Sequence, residues 1–136
     1  MRRARETAWY AGSRTGVRVR EEARLRERMN RDGVQPMEDF LADRAASVKD
    51  RDFVPAAGGS SRDTAERIRA RLVDLADEPR PVALVTHGGV TVDLPRALIG
   101  DDAVPVELMR HGVPSCAITT LDGLSVADVA SVGHLA

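Results

Sequence analysis

Residues 82–90, VALVTHGGV, bring a histidine to the end of a continuous apolar run and follow it with two glycines. An apolar run of this length is what a strand covered on both faces looks like. The residues after it, VTVDLPRALIG (90–100), read as a helix stopped by Gly100. His87 therefore stands where a strand turns into a helix, the place at which open α/β sheets bind ligands. Gly88 and Gly89 carry no side chains, so backbone N–H groups at the helix start can approach an anion closely. An imidazole at that point can donate a hydrogen bond or a proton to a phosphoryl oxygen. The bland alternative is a histidine that merely caps the turn.

Other chemistry-bearing residues are uneven along the chain. Residues 1–31 hold ten arginines against four glutamates. Such a segment can be a phosphate site, a nucleic-acid patch or a solvated helix face. Trp9 and Tyr10 are too few aromatics to form a base-stacking platform. The three histidines, His87, His111 and His134, are scattered, so no metal is expected. No glycine-rich loop of the P-loop or dinucleotide kind is present, so no nucleotide cofactor is expected either. Cys116 is the single cysteine. It rules out an internal disulfide and fits a reducing cytoplasm. Its neighbours Ser115 and Ala117 suggest a core strand position.

The elements that must position these groups follow from 136 residues, enough for one domain with a real core. Hydrophobic residues at 43% and charged residues at 30% describe an ordinary folded chain rather than a disordered one. A net charge of −1 does not draw the whole molecule to nucleic acid or to an anionic membrane. No apolar stretch reaches the roughly 18 residues of a spanning helix. Residues 3–11 look helical, and Val17 and Val19 begin a strand-like alternation. A short helix is expected over 37–48, with Met37, Phe40, Leu41 and Ala45 on one face. Ser60 or Ser61 can cap a helix over about 62–77, whose stripe is Ala65, Ile68, Leu72 and Leu75, and Glu78-Pro79-Arg80-Pro81 ends it. Pro95 should kink or split the helix after His87. A turn of helix fits 105–110. Asp122-Gly123, between two β-rich runs, is a hairpin signal. Helix, strand, helix and hairpin together make an α/β pattern.

With these residues in order, the sequence resembles the histidine phosphatase superfamily, the phosphoglycerate mutase-like proteins. RRARETA (2–8) looks like the family's Arg-Ala-x-x-Thr-Ala helix, and LRER (25–28) like its Leu-x-Glu segment. GGSSRDTAERI (58–68) is similar to its Gly-Glu-Ser loop and helix, with Ser60 in place of the usual glutamate. VTHGGV (85–90) matches the turn that carries the second histidine, and GHL (133–135) the usual ending, where His134 reads as structural. The resemblance implies a three-layer phosphoglycerate mutase-like fold. It gives Arg3 the role of gripping the phosphoryl group, Glu27 that of the acid protonating the leaving oxygen, and His87, with Gly88, that of stabilising the phosphoryl in transfer. The residue types suit that chemistry. A phosphate dianion needs fixed cations and N–H donors, and a guanidinium offers it a planar fork. An alkoxide leaving group needs a proton, which a carboxyl can supply.

The family's first strand ends in Arg-His-Gly, whose histidine becomes phosphorylated. The sequence has Arg110-His111-Gly112, but after VPVELM and before Val113-Pro114, where the family has a connection; His111 is expected on a surface loop. The expectation is thus an incomplete fold: residues 1–136 as the C-terminal portion of one domain, with the first strands of the central sheet and the nucleophile outside it. The implied activity is phosphomonoester hydrolysis, or secondarily a mutase reaction, on a phosphorylated small molecule. A strand at 82–86 left without a neighbour invites self-association through the exposed sheet edge. Two alternatives stand beside this reading. One is an inactive remnant that binds a phosphorylated ligand or a protein. The other is a nucleic-acid module using the basic first 31 residues.

Overall fold

Helices form where the sequence supplies caps and apolar stripes. The computed structural model describes residues 1–31, 33–79 and 81–136. Helix α1 (Arg2–Thr15) stops at Gly16, whose φ of 72° is the left-handed C-cap that a residue without Cβ adopts at little cost. Helix α2 (Met37–Lys49) follows Pro36 and carries Glu38 and Asp39 in its first turn, where carboxylates meet the positive end of the helix dipole. Helix α3 (Ser61–Asp74) is capped by Ser60, whose Oγ accepts the Asp63 N–H at 3.0 Å. Helix α4 (Gly88–Ile99) starts immediately after His87, and a short helix α5 (Val106–His111) follows. Strands β1 (Ile118–Asp122) and β2 (Ser125–Ser131) pair antiparallel around Gly123, at φ 60°.

The core lies where α3 crosses α4. Ile68 from α3 meets Val90 and Leu94 from α4, and Leu25, Leu72, Leu98 and Leu121 close around them. The expected stripe of α3 is the buried one, Leu72 forming its half-buried margin. Strand β2 rests against α4. Segment 23–30 is stitched to both sides of this core. Thr86 Oγ1 donates to the Leu25 carbonyl at 2.7 Å. On the other side, Gly59 N–H donates to the Arg28 carbonyl at 3.0 Å and Asn30 N–H to that of Ala57 at 2.9 Å. Gly58 lies so close to the Arg28 carbonyl that a Cβ there would collide with it.

The architecture is the incomplete α/β arrangement: five helices and one two-stranded sheet among the described residues. Several local expectations fail for physical reasons. Residues 82–86 form no strand, because no other segment among the described residues pairs with them. An apolar run supplies the side chains of a strand but not its ladder, and Val82 stays 42% exposed. Val17 and Val19 are likewise outside any strand; both touch Gly12, where the absence of a side chain lets them approach α1. Cys116 is not in the core: it is exposed, in a turn at φ 62°. The buried side of α2 is set by Ser47, with Phe40 and Arg44 half-buried, while Met37, Leu41 and Ala45 face solvent. Pro95 does not split α4, which runs through it as one helix with Pro95 buried. Arg80 lies outside the described residues.

Candidate active site

His87 is the residue before the first turn of α4, in an extended conformation, and its side chain caps nothing. It is 6% exposed. Burial pushes its pKa below the ordinary 6.5; the Glu27 carboxylate works against that shift, and the Arg3 guanidinium and the N-terminal ammonium add to it. Both residues that the sequence pairs with the imidazole thus act on its charge, although His87 itself lies behind the pocket that they line and is not part of its wall.

Arg3, Glu27 and Gly88 line one pocket of about 490 Å³. Glu27 is held by backbone donors. One carboxylate oxygen accepts the Arg28 N–H at 2.8 Å and the other accepts the Gly89 N–H at 3.3 Å. This docks a carboxylate on the N-terminus of α4, where the helix dipole favours negative charge. A Cβ on Gly89 would run into that carboxylate, so the second glycine leaves Glu27 room to dock without shifting. Arg3 is on the exposed surface of α1 and makes no ion pair among the described residues. Arg3 thus brings to the pocket a guanidinium without an ion pair among the described residues, beside an anchored carboxylate and a helix start.

Sequence reading misses the layer beneath. Asp93, one and a half turns into α4, is 1% exposed. Ser61 Oγ donates to its Oδ1 at 2.7 Å, and the Arg28 Nε lies 3.3 Å from its Oδ2. Burial pushes the Asp93 pKa up, and Arg28 and the Ser61 hydrogen bond oppose the rise. Arg96, on the same helix, is 1% exposed and grips Asp101 through Nε and Nη2 at 3.0 and 2.7 Å. An acidic residue inside the apolar run VTVDLP is the available signal for Asp93. Nothing local marks Arg28, which is hidden among neighbouring arginines. His111, at the end of α5, is exposed and pairs with Glu107 at 3.1 Å, as expected of a surface histidine. His134 is exposed. Among the described residues, no group of three His, Cys, Asp or Glu could hold a metal ion, and no helix is long and apolar enough to cross a membrane.

Comparison with known proteins gives the family. Residues 1–125 match the profile of the Histidine phosphatase superfamily (branch 1). The chain belongs to the histidine phosphatase superfamily. A curated relative, glucosyl-3-phosphoglycerate phosphatase of Mycobacterium tuberculosis, is 39% identical over 114 residues, covering 73% of this chain and 51% of the relative. The chain thus spans about half the length of that phosphatase. Among solved structures, a mycobacterial glucosyl-3-phosphoglycerate phosphatase in complex with inorganic phosphate aligns at TM-score 0.66 and 34% identity, over 91% of this chain and 68% of the other. The same enzyme with VO3 aligns at TM-score 0.63 and 33% identity, over the same shares of the two chains. The matched range includes Arg3, Glu27, Ser60 and His87.

Proposed function

We propose that residues 1–136 carry the phosphoryl-binding and proton-donating half of a phosphomonoester hydrolase site. Arg3 grips the phosphoryl oxygens, and the Gly88 N–H at the start of α4 adds a backbone donor. His87 stabilises the phosphoryl group as it leaves its oxygen. Glu27 gives that oxygen its proton as the O–P bond breaks. The acceptor is the histidine of the family's Arg-His-Gly strand end; Arg110-His111-Gly112 of this sequence closes the short helix α5 on the surface and follows no strand, so the acceptor comes from outside these residues. Water then releases inorganic phosphate from the phosphohistidine. Electrostatic clamping of the transferring group supplies the main stabilisation in such a step, and no metal or cofactor is called for.

The observation that carries this reading is the meeting of Arg3, Glu27 and Gly88 on one pocket with His87 in electrostatic reach. The likeness to a phosphatase bound to inorganic phosphate supports a phosphorylated small molecule as substrate. The test has two arms. Phosphorus NMR titration of the 136-residue chain with inorganic phosphate should show saturable binding that is lost in His87→Ala. Turnover of p-nitrophenyl phosphate should be absent from this chain and present when a segment carrying the Arg-His-Gly strand precedes it. Turnover by these residues alone would refute the external acceptor. Absence of phosphate binding would refute the site.

A further inference from the structure

Glu27 is the acid of the proposed site, yet its own segment has no regular structure to hold it. Residues 26–28 belong to no helix and no strand. Arg24, Leu25, Glu27 and Arg28 are nevertheless half-buried. A stretch of this kind must find partners for its peptide groups one at a time. Two side chains from the core elements take its carbonyls. Arg67, on α3, donates through Nη1 to the Arg24 carbonyl and through Nη2 to the Arg26 carbonyl. Between them, Thr86 Oγ1 donates to the Leu25 carbonyl at 2.7 Å. Three successive carbonyls leading up to Glu27 are thus gripped from two directions.

The two grips are suited to the task. A half-buried guanidinium ordinarily finds a carboxylate. Arg67 makes no ion pair among the described residues and spends its planar fork on backbone oxygens instead. Burial pulls its pKa down, and the Glu27 and Asp93 carboxylates oppose the fall. Thr86 acts at closer range, because the next residue is His87. Leu25 meets Thr86, and two residues further on Glu27 meets the Gly89 N–H. That second contact, at 3.3 Å, is at the long end of such bonds. The place of the carboxylate therefore depends on the backbone that carries it.

We infer that Arg67 and Thr86 are positioning residues for Glu27: they hold its segment against the start of α4 and so set the distance between its carboxylate and His87. This rests on the role of Glu27 proposed above. Neither residue touches the pocket's ligand space; both act through the segment that they grip.

The experiment reads the attraction between residues 27 and 87 in the 136-residue chain, by proton NMR titration of the His87 imidazole without phosphate. The Glu27 carboxylate holds the His87 pKa up against burial, so Glu27→Gln lowers it, and the size of that drop measures how near the carboxylate stands. In Thr86→Val and in Arg67→Met the drop should shrink by about half or more, because the attraction falls with distance and with the entry of water. Thr86→Ser, which restores the hydroxyl, should restore the full drop. Arg67→Lys, which keeps the charge without the fork, should restore part of it. Neither Arg67 nor Thr86 is among the groups that act on the imidazole's charge, and comparing drops removes the effect of any repacking around the ring. A role confined to stitching the fold would lower the urea midpoint of both variants and leave the drop intact, which overturns the inference. A native chain in which Glu27→Gln leaves His87 unmoved, or a Thr86→Ser as deficient as Thr86→Val, overturns it as well. Thr86→Val exchanges one hydroxyl for a methyl at constant shape, so it carries the test even where Arg67→Met does not fold. Failure of the native chain to bind inorganic phosphate falls on the phosphoryl site alone, since the drop is read without ligand.

Discussion

Helices α1 and α4 both bring groups to the pocket, and they are held in opposite ways. Helix α4 buries Val90, Val92, Asp93, Leu94, Pro95 and Arg96, half of its twelve residues. Helix α1 buries none, and leaves Trp9 69% and Tyr10 61% exposed. Its ties are local: the close approach of Val17 and Val19 to Gly12, and an exposed ion pair between Arg5 and Glu21. Exposed ion pairs contribute little. His87 and the Glu27 dock are thus fixed by the core, while Arg3 rides on an element the core does not grip. The difference separates two kinds of mutational effect. Changes under α4 should cost stability, and changes on α1 should cost ligand affinity alone.

The largest effect is expected beneath α4. Asp93→Ala removes the partner of a guanidinium that is 8% exposed and leaves Arg28 buried without a counter-charge. Breaking one side of such a pair costs about 3–5 kcal/mol, readable as a fall in the urea midpoint. A loss below about 1 kcal/mol would mean that Arg28 swings into water and that the floor of the pocket is soft. Next comes Ile68→Ala, at the crossing of α3 and α4. The cavity and lost burial should cost about 3 kcal/mol, and the same substitution style at Trp9, exposed on α1, should cost under about 0.5 kcal/mol. Similar losses at the two positions would erase the contrast between the helices.

How much of this is legible in the sequence follows the same division. The stripe Ala65, Ile68, Leu72 and Leu75, the Ser60 cap, the Gly100 stop and the Asp122-Gly123 turn are local signals, and each is realised. Positions that depend on a partner are not legible in this way. Residues 82–86 have a strand's composition but no neighbour among the described residues to pair with. The neighbourhood of Cys116 suggests burial, yet the backbone turns there at φ 62° and exposes it. The apolar residues of α2 suggest one face, while the structure buries Ser47 against Met29. In the site, His87 stands out through its glycines. Asp93 and Arg28 matter through what surrounds them in space, which spacing along the chain does not encode.

Acid should act through His87. Its pKa is lower in the folded chain than the ordinary 6.5, so the unfolded chain binds more protons below that pH. The stability that His87 contributes is whole above about pH 6.5 and is lost as pH falls through that value and then through the lower folded one. Asp93 works the other way, because its raised pKa favours the folded chain as pH falls toward 3.8. The difference between the native chain and His87→Gln, melted across about pH 5–8 without phosphate, isolates the histidine. The native chain should lose its advantage on the acid side. A difference independent of pH would place the imidazole in water rather than behind the start of α4.

The smallest effect on stability, and the most informative about the comparison, is expected from Arg3→Ala. The side chain is exposed on α1 and unpaired among the described residues, and alanine is the better helix former, so stability should barely change, by less than about 0.5 kcal/mol. Phosphate affinity should nevertheless fall by about tenfold or more, the value of a charged hydrogen bond. A third readout decides whether α1 truly sits against α4. Arg3 helps to hold the His87 pKa down, so removing its charge must let that pKa rise. Proton NMR of the imidazole should therefore show His87 titrating at higher pH in Arg3→Ala than in the native chain. If affinity falls while the titration stays put, the arginine meets phosphate only after the ligand has drawn α1 in. If neither moves, α1 does not belong to the pocket, and the contrast between a gripped helix and a free one becomes a contrast between a site and a bystander.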